Sequence, residues 1–262
     1  MTLEIAVDRD LKNLLRKYKK CLRLLQILEN DEEVYELLEQ ANKVSVVRMG
    51  FNDHGRVHAK IVALASLKIY DLLEKNKIYG HIILEKIGNS EDVRVALLLG
   101  SYIHDIGISI SRKEHEMLGV VLARGIITEI LLKLDRNYSA GQIAKMRSII
   151  LEEILCHLGR YTSSSLESKI VATADGTDMT RGRARIPYQI AKPDIHKFSA
   201  LAIEKVSIEA GDIKPVKITA NMNDTTGIFQ IELQLLQKIH DVGFTDYIEV
   251  VAKIKDGREI KY

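Results

Sequence analysis

One apolar run constrains this chain more than any other. Val93, Val95, Ala96, Leu97, Leu98, Leu99 and Ile103 describe a helix that is apolar around most of its circumference, and it runs directly into His104-Asp105-Ile106-Gly107. A helix of that kind belongs in an interior, and Gly107 offers it a C-terminal stop. The His and Asp at its end are then delivered to the core, where polar groups without partners are costly. Two arrangements satisfy them. They can bond to each other and to backbone, the ordinary fate of buried polar groups, or they can share a metal ion with ligands arriving from elsewhere in the chain.

At 262 residues the chain is long enough to bury such a core, and its length fits one large domain followed by a small one. An apolar content of 46% with 28% charged residues excludes a mainly disordered protein. Only three prolines interrupt it, so long helices are expected. Cys21 and Cys156 are far apart and form no CxxC pair, which points to a reducing compartment. The start, Met1 to Asp8, lacks the features of a signal peptide, and no apolar run reaches membrane-spanning length. A cytoplasmic protein with no membrane partner is therefore expected. The net charge of +2, with both signs interspersed, does not suggest a polyanion partner. Aromatic residues at 5% provide no basic-aromatic stripe, so nucleic acid is not favoured as a partner.

Taken in order, the chain opens with a long helical face from Asp8 to Leu28, then a second helix capped by Asn30 or Asp31 and carrying Val34, Leu37, Leu38 and Ala41. These helices can cover the core or pair with a second subunit, so a homodimer is compatible with them. His54 and His58 introduce a helix running through Val62 to Leu73, and they share one face if that helix already includes both. A polar connection from Lys75 to Asp92 leads to Ser90 as the expected cap of the His104 helix. Ser111 can cap a helix beginning at Arg112, which puts His115 in its first turn. Another helix, from Gly141 to about Leu158, ends at Cys156-His157-Leu158-Gly159. Ser164 or Ser165 opens one more, in which Asp175 lies on a face of small apolar residues where an unpaired carboxylate is costly. Singly, each of these polar residues has an ordinary explanation as a cap, a packing group or a surface side chain. Together they provide nitrogen and oxygen donors from five helices, enough for two divalent ions.

From residue 195 to 262 the pattern changes. Ile203 to Glu209, Val216 to Met222 and Tyr247 to Ile254 read as strands, and Gly227 to Val242 reads as a helix with Ile228, Ile231, Leu235 and Ile239 on its face. The expected fold class is mainly α, a helical domain over 1–190 followed by a small α+β module. His196 and His240 have no metal-like companions. The role of the module stays open.

The stretches "HGRVHA" (His54 to Ala59), "YIHDIG" (Tyr102 to Gly107), "EHEMLG" (Glu114 to Gly119), "CHLG" (Cys156 to Gly159) and "IVATADGTDMTRGRARIP" (Ile170 to Pro187) together resemble the HD superfamily of metal-dependent phosphohydrolases. The likeness spans roughly residues 50 to 187. It implies an HD-type helical domain of the binuclear branch, in which one ion takes His54, His104, Asp105 and Asp175, and a second takes Asp105 as bridge with His115 and His157. His54 is preferred to His58 as first ligand because the family's first motif commonly has an apolar residue at the position of His58. Two departures matter. Ile108 stands where the family often has a lysine near the substrate phosphate, and the "GYP" signature is absent, which counts against cyclic di-GMP as substrate.

The resemblance implies hydrolysis of a phosphate ester, a small nucleotide-like phosphomonoester or phosphodiester, by a metal-activated hydroxide. The donors suit one or two divalent ions of manganese, iron, nickel, cobalt or zinc. Asp105, bridging two cations, would sit at the centre of that chemistry. Arg56, Arg181, Arg183 and Arg185, with Lys60 nearby, are candidates to hold the phosphate. Asp178 is expected to orient a ligand or an arginine, and His58 to donate a proton to the leaving group. The alternative is a non-catalytic regulator that binds a nucleotide or a protein on an HD-like fold.

Overall fold

The structure is a computed structural model, and it describes residues 3–180, 199 and 201–262. Its larger part consists of α1 (Leu3–Leu15), α2 (Lys19–Asn30), α3 (Glu32–Asn42), a π-helical turn (Lys43–Arg48), α4 (Arg56–Lys75), α5 (His81–Leu84), α6 (Ser90–Ile103), a 3-10 turn (Ile106–Ser109), α7 (His115–Leu134), α8 (Ala140–Cys156) and α9 (Leu166–Thr177). The one long helix expected over Asp8 to Leu28 is two helices. Tyr18 is extended at φ −122° between them. Lys17 and the Tyr18 hydroxyl both bond to Asp71 of α4, at 2.9 Å each, and the Arg94 guanidinium lies over the Tyr18 ring. Tertiary anchoring at this corner outweighs local helix preference.

Helix starts follow side-chain chemistry closely. The Asp31 carboxylate accepts the Val34 N–H at the start of α3. Asn89, one residue before the expected Ser90, caps α6, accepting from Glu91 and Asp92 while the Asp92 side chain returns the bond. Helix α7 starts later than expected, at His115, after Glu114 in the left-handed region at φ 58°. Every residue of α6 from Asp92 to Ile103 is buried, and the helix contacts α2, α4, α8 and α9. It is the central rod of the molecule. Gly107 is not the left-handed stop the sequence suggested: a Cβ there would lie 2.0 Å from the His115 carbonyl oxygen and 2.5 Å from the Gly119 nitrogen. Its missing side chain lets the 3-10 turn lie directly on α7.

The C-terminal part is a four-stranded sheet in the order β1 (Ile203–Ala210), β2 (Val216–Met222), β3 (Ile248–Ile254) and β4 (Glu259–Lys261). The β1–β2 and β3–β4 pairs are antiparallel and β2–β3 is parallel. Strand β4 was not anticipated. Between β2 and β3 runs a helical rod made of a 3-10 turn (Thr225–Gly227), α10 (Ile228–Gln230), a π-helical turn (Ile231–Leu236) and α11 (Gln237–Asp241). The rod lies against α9, where a Cβ on Gly176 would meet Leu235 at 3.2 Å. One hydrophobic cluster joins Leu11 and Leu15 of α1 to Ile218, Ile239 and Val250 of the module. The protein is thus mainly α with a small α+β module sharing its core. Among the described residues no helix is long and apolar enough to cross a membrane.

Candidate metal centre

Helix ends converge on Asp105. His104 and His157 are the residues that end α6 and α8, His115 begins α7, His58 lies in the first turn of α4, and Asp175 in the last turn of α9. All are buried. The two Asp105 oxygens face different partners. Oδ2 lies 3.2 Å from His104 Nε2 and 3.4 Å from His58 Nε2, whereas Oδ1 lies 3.2 Å from His115 Nε2 and 3.5 Å from His157 Nε2. Asp175 Oδ1 is 3.1 Å from His58 Nε2 and 3.8 Å from His104 Nε2. Two sets of three, His58 with His104 and Asp175, and His104 with Asp105 and His157, bring one donor atom from each residue within 4.8 Å of the others. Ligands at about 2.1 Å from a shared cation stand about 3 to 3.5 Å apart, so the spacing fits a metal.

The hydrogen bonds behind these rings fix their tautomers. Nδ1 of His104 donates to the Ser101 carbonyl at 2.8 Å, that of His115 to the Arg112 carbonyl at 2.8 Å, and that of His157 to the Ile154 carbonyl at 2.7 Å. In each case the acceptor lies three residues back, which a helix end or tight turn places under the ring. The Asp178 carboxylate takes the same part for His58 Nδ1 at 2.7 Å. A carbonyl oxygen only accepts, so a neutral ring bonded this way carries its proton on Nδ1 and presents a lone pair at Nε2. Those lone pairs face one another: His58 and His104 approach Nε2 to Nε2 at 3.3 Å, and His115 and His157 at 3.1 Å. Lone pairs crowded against carboxylates in a buried space are what a cation relieves.

Charge in the cluster is shifted accordingly. Burial opposes the Asp105 carboxylate, but the imidazoles of His104, His54 and His115 outweigh it and hold the group well below the usual carboxylate range. Asp175 is held low in the same way, against burial, by Lys238 and by His58 and His104. Burial pushes His157 down to about 4, so this ring stays neutral at physiological pH. His115 goes the other way, since its bond to Asp105 outweighs burial.

Asp105, His115, His157 and Asp175 of the cluster line a cavity of about 360 Å³. Phe51, Asn52, His54 and Arg112 form one wall, and Gln230, Gln234 and Lys238 of the module form another. One π-helical turn carries Gln234 into its lining, and the other leads into the loop that supplies Gly50 to His54. Such turns recur at functional sites.

Of the two histidines of the first motif, the structure brings His58 into a candidate donor set and leaves the expected ligand, His54, in the cavity wall. Helix α4 begins at Arg56, after Gly55, so His54 is in the preceding loop and does not share a helical face with His58. Its Nδ1 lies 2.6 Å from the Asn52 carbonyl and 2.9 Å from Ser45 Oγ, and its Nε2 is 3.3 Å from Arg112. His58, expected as a proton donor, has Nε2 inside the ligand cluster instead. Asp178 orients it through the bond to Nδ1. Arg56 turns away, bonding Glu39 at 3.3 Å and lying over the Tyr35 ring at 4.5 Å. Lys60, one turn on, ties α4 to Asp8 and Glu29. Arg181, Arg183, Arg185 and His196 lie outside the described residues. Two cations of the cavity are not among the residues that the sequence singles out for binding. Lys238 falls on the apolar face of its own helix, with Ile231, Leu235 and Val242, and a lysine in such a stripe is the signal that could have found it. Arg112 was read only as a helix start.

Fold and site together define a mainly helical protein whose buried His and Asp groups can hold a metal ion. Over 233 residues, 89% of each chain, it is 38% identical to the uncharacterized protein MJ1020 of Methanocaldococcus jannaschii, and it belongs to the same family as that protein. No family model matches the chain, and no solved structure matches it.

Proposed function

We propose that the protein is a metal-dependent phosphohydrolase of the HD type, acting on a small nucleotide-like phosphate ester. The observation that carries this reading is the division of Asp105, with one oxygen toward His58 and His104 and the other toward His115 and His157. A carboxylate so placed suits a bridge between two cations. His58, His104, Asp105 and Asp175 would hold one ion, and Asp105, His115 and His157 the other. The mixed nitrogen and oxygen donors suit manganese, iron, nickel, cobalt or zinc. The chemistry such ions supply is Lewis acidity toward a phosphoryl oxygen and acidification of water toward neutral pH. The chain's own part is to hold these donors rigid, with each Nε2 turned into the cluster. Asp178 and the three helix-end carbonyls do so by fixing each Nδ1. Arg112, at the cavity wall, is placed to meet an anionic substrate.

The test is elemental analysis of the purified protein, followed by a phosphate-ester screen with wild type and Asp105→Ala. Divalent metal in the wild type, lost in the variant together with hydrolysis by at least about 10³-fold, is the expected result. Metal bound tightly without turnover of any phosphate ester would instead favour a non-catalytic regulator.

A further inference from the structure

The α+β module has no cluster of its own, yet its helical rod reaches the candidate centre. Lys238 Nζ is ion-paired with Asp175 Oδ2, while Oδ1 of the same carboxylate faces His58 Nε2. The ammonium and the His58 ring thus meet different oxygens of the one carboxylate. It is largely buried, with 12% of its side chain exposed, and it lines the cavity. An ammonium has three N–H donors, and the pair with Asp175 engages one. The others are available to an acceptor in the cavity. Gln230 and Gln234 precede it at four-residue steps, so all three share one side of the rod, and all three line the same wall. Gly176 lets the rod come this close: a Cβ there would meet the Leu235 side chain at 3.2 Å and Lys238 Cδ at 3.5 Å. The same cavity is lined by a second cation, Arg112, whose guanidinium lies 4.1 Å from the centre of the Phe51 ring.

We propose that Lys238 is a substrate-binding residue supplied by the module, and that with Arg112 it holds the doubly charged phosphate of a phosphomonoester. This rests on the metal reading above and adds to it the substrate class and the part played by the module. Two cations lining one cavity match a dianion better than the single charge of a diester. A cavity of about 360 Å³ fits a molecule of mononucleotide size. Lys238 is a binding residue here, not a structural support for Asp175.

The test uses the full chain loaded with manganese and the probes inorganic phosphate, standing for the monoester, and dimethyl phosphate, standing for the diester. Binding is measured by calorimetry for wild type, Lys238→Ala and Lys238→Arg, with manganese content determined on each sample. Lys238→Ala is expected to keep its manganese and to bind inorganic phosphate at least about 10-fold more weakly, as loss of a charge-assisted bond implies. Lys238→Arg should recover most of that loss, and dimethyl phosphate should bind weakly throughout. Manganese lost from Lys238→Ala, or phosphate binding unchanged by it, would overturn the proposal. Tighter binding of dimethyl phosphate than of phosphate would overturn the monoester assignment. A wild type that takes up no manganese would defeat the metal reading and this inference with it. Phosphate binding that depends on Lys238, in a protein that hydrolyses no ester, would defeat the catalytic reading alone.

Discussion

Two buried polar clusters lie in the helical part, and they solve the problem of charge in opposite ways. Around Arg94 the chain supplies both signs. The guanidinium, 1% exposed, bonds Asp71 at 2.7 Å, Glu74 at 2.6 Å and the Ser90 carbonyl at 3.1 Å, and it lies over the rings of Tyr18 and Tyr70. The candidate centre gathers Asp105, Asp175 and Asp178 with four imidazoles, and among the described residues Lys238 is the lysine paired with any of these carboxylates. The first cluster is complete as folded and ties α2, α4 and α6 together. The second, among the described residues, sets three carboxylates and four imidazoles about one paired lysine, a group that could hold an added cation.

That contrast is open to direct attack. Arg94→Ala leaves Asp71 with Lys17 and Tyr18 alone and Glu74 with Ser90, and should cost about 3 kcal/mol, by the same amount in manganese and in chelator. Metal removal should act on the other cluster, lowering wild-type stability by about 4 kcal/mol if the ion was present at a thousand times its dissociation constant. Urea unfolding of both proteins in both conditions measures the two effects and their coupling. If the Arg94→Ala loss depended on metal, the clusters would not be separate and the comparison would fail.

Asp178→Asn probes a smaller step. The amide can still accept the Nδ1 proton of His58, but the charge that makes His58 a better donor is gone. Metal affinity should drop by about 10- to 100-fold. Because Asp178 backs His58 alone among the four rings, a calorimetric titration should show one class of ion weakened and the other retained. Equal weakening of both would mean that Asp178 holds the fold of the site and not one ligand.

Much of this arrangement was legible in the residues because helix ends announce themselves. The apolar run before His104, the glycine after His157 and the small residues around Asp175 each located a donor within a turn of where it lies. Legibility failed where the answer depended on a neighbouring element. Whether His54 or His58 enters the cluster depends on where α4 begins, and Gly55 settles that only in the context of the preceding π-helical turn and loop. Arg56 and Lys60 sit beside the motif in sequence, yet the same helical face turns both toward α1, α2 and α3. Lys238 was hidden by distance, more than sixty positions from Asp175 and in a module of different secondary structure. The corner at Tyr18 was hidden likewise, since periodicity continues through it and only Asp71 and Arg94 bend it.

A third buried group sharpens the comparison, with the smallest expected effect. Glu153 of α8 is fully buried, neither carboxyl oxygen has a hydrogen-bond partner, and it packs where Gly100 leaves room, since a Cβ there would lie 1.6 Å from its Oε2. Burial, with Glu167 and Glu152 nearby, raises its carboxyl well above the ordinary range, opposite to Asp105 and Asp175. The native protein therefore keeps a proton there that the unfolded chain releases above about pH 4.5. Stability from this group is complete below that value and is lost as pH rises through the range up to the raised native value. Glu153→Gln, which mimics the protonated acid, should match wild type near pH 4 and become the more stable of the two as pH rises toward 8, by melting temperature in chelator. Asp105 and Asp175, held low, contribute in the reverse sense, with stability gained above the unfolded range and lost as pH falls. A gap between Glu153→Gln and wild type that stayed constant with pH would mean that Glu153 is ionised in the native protein, and that its surroundings hold a cation after all.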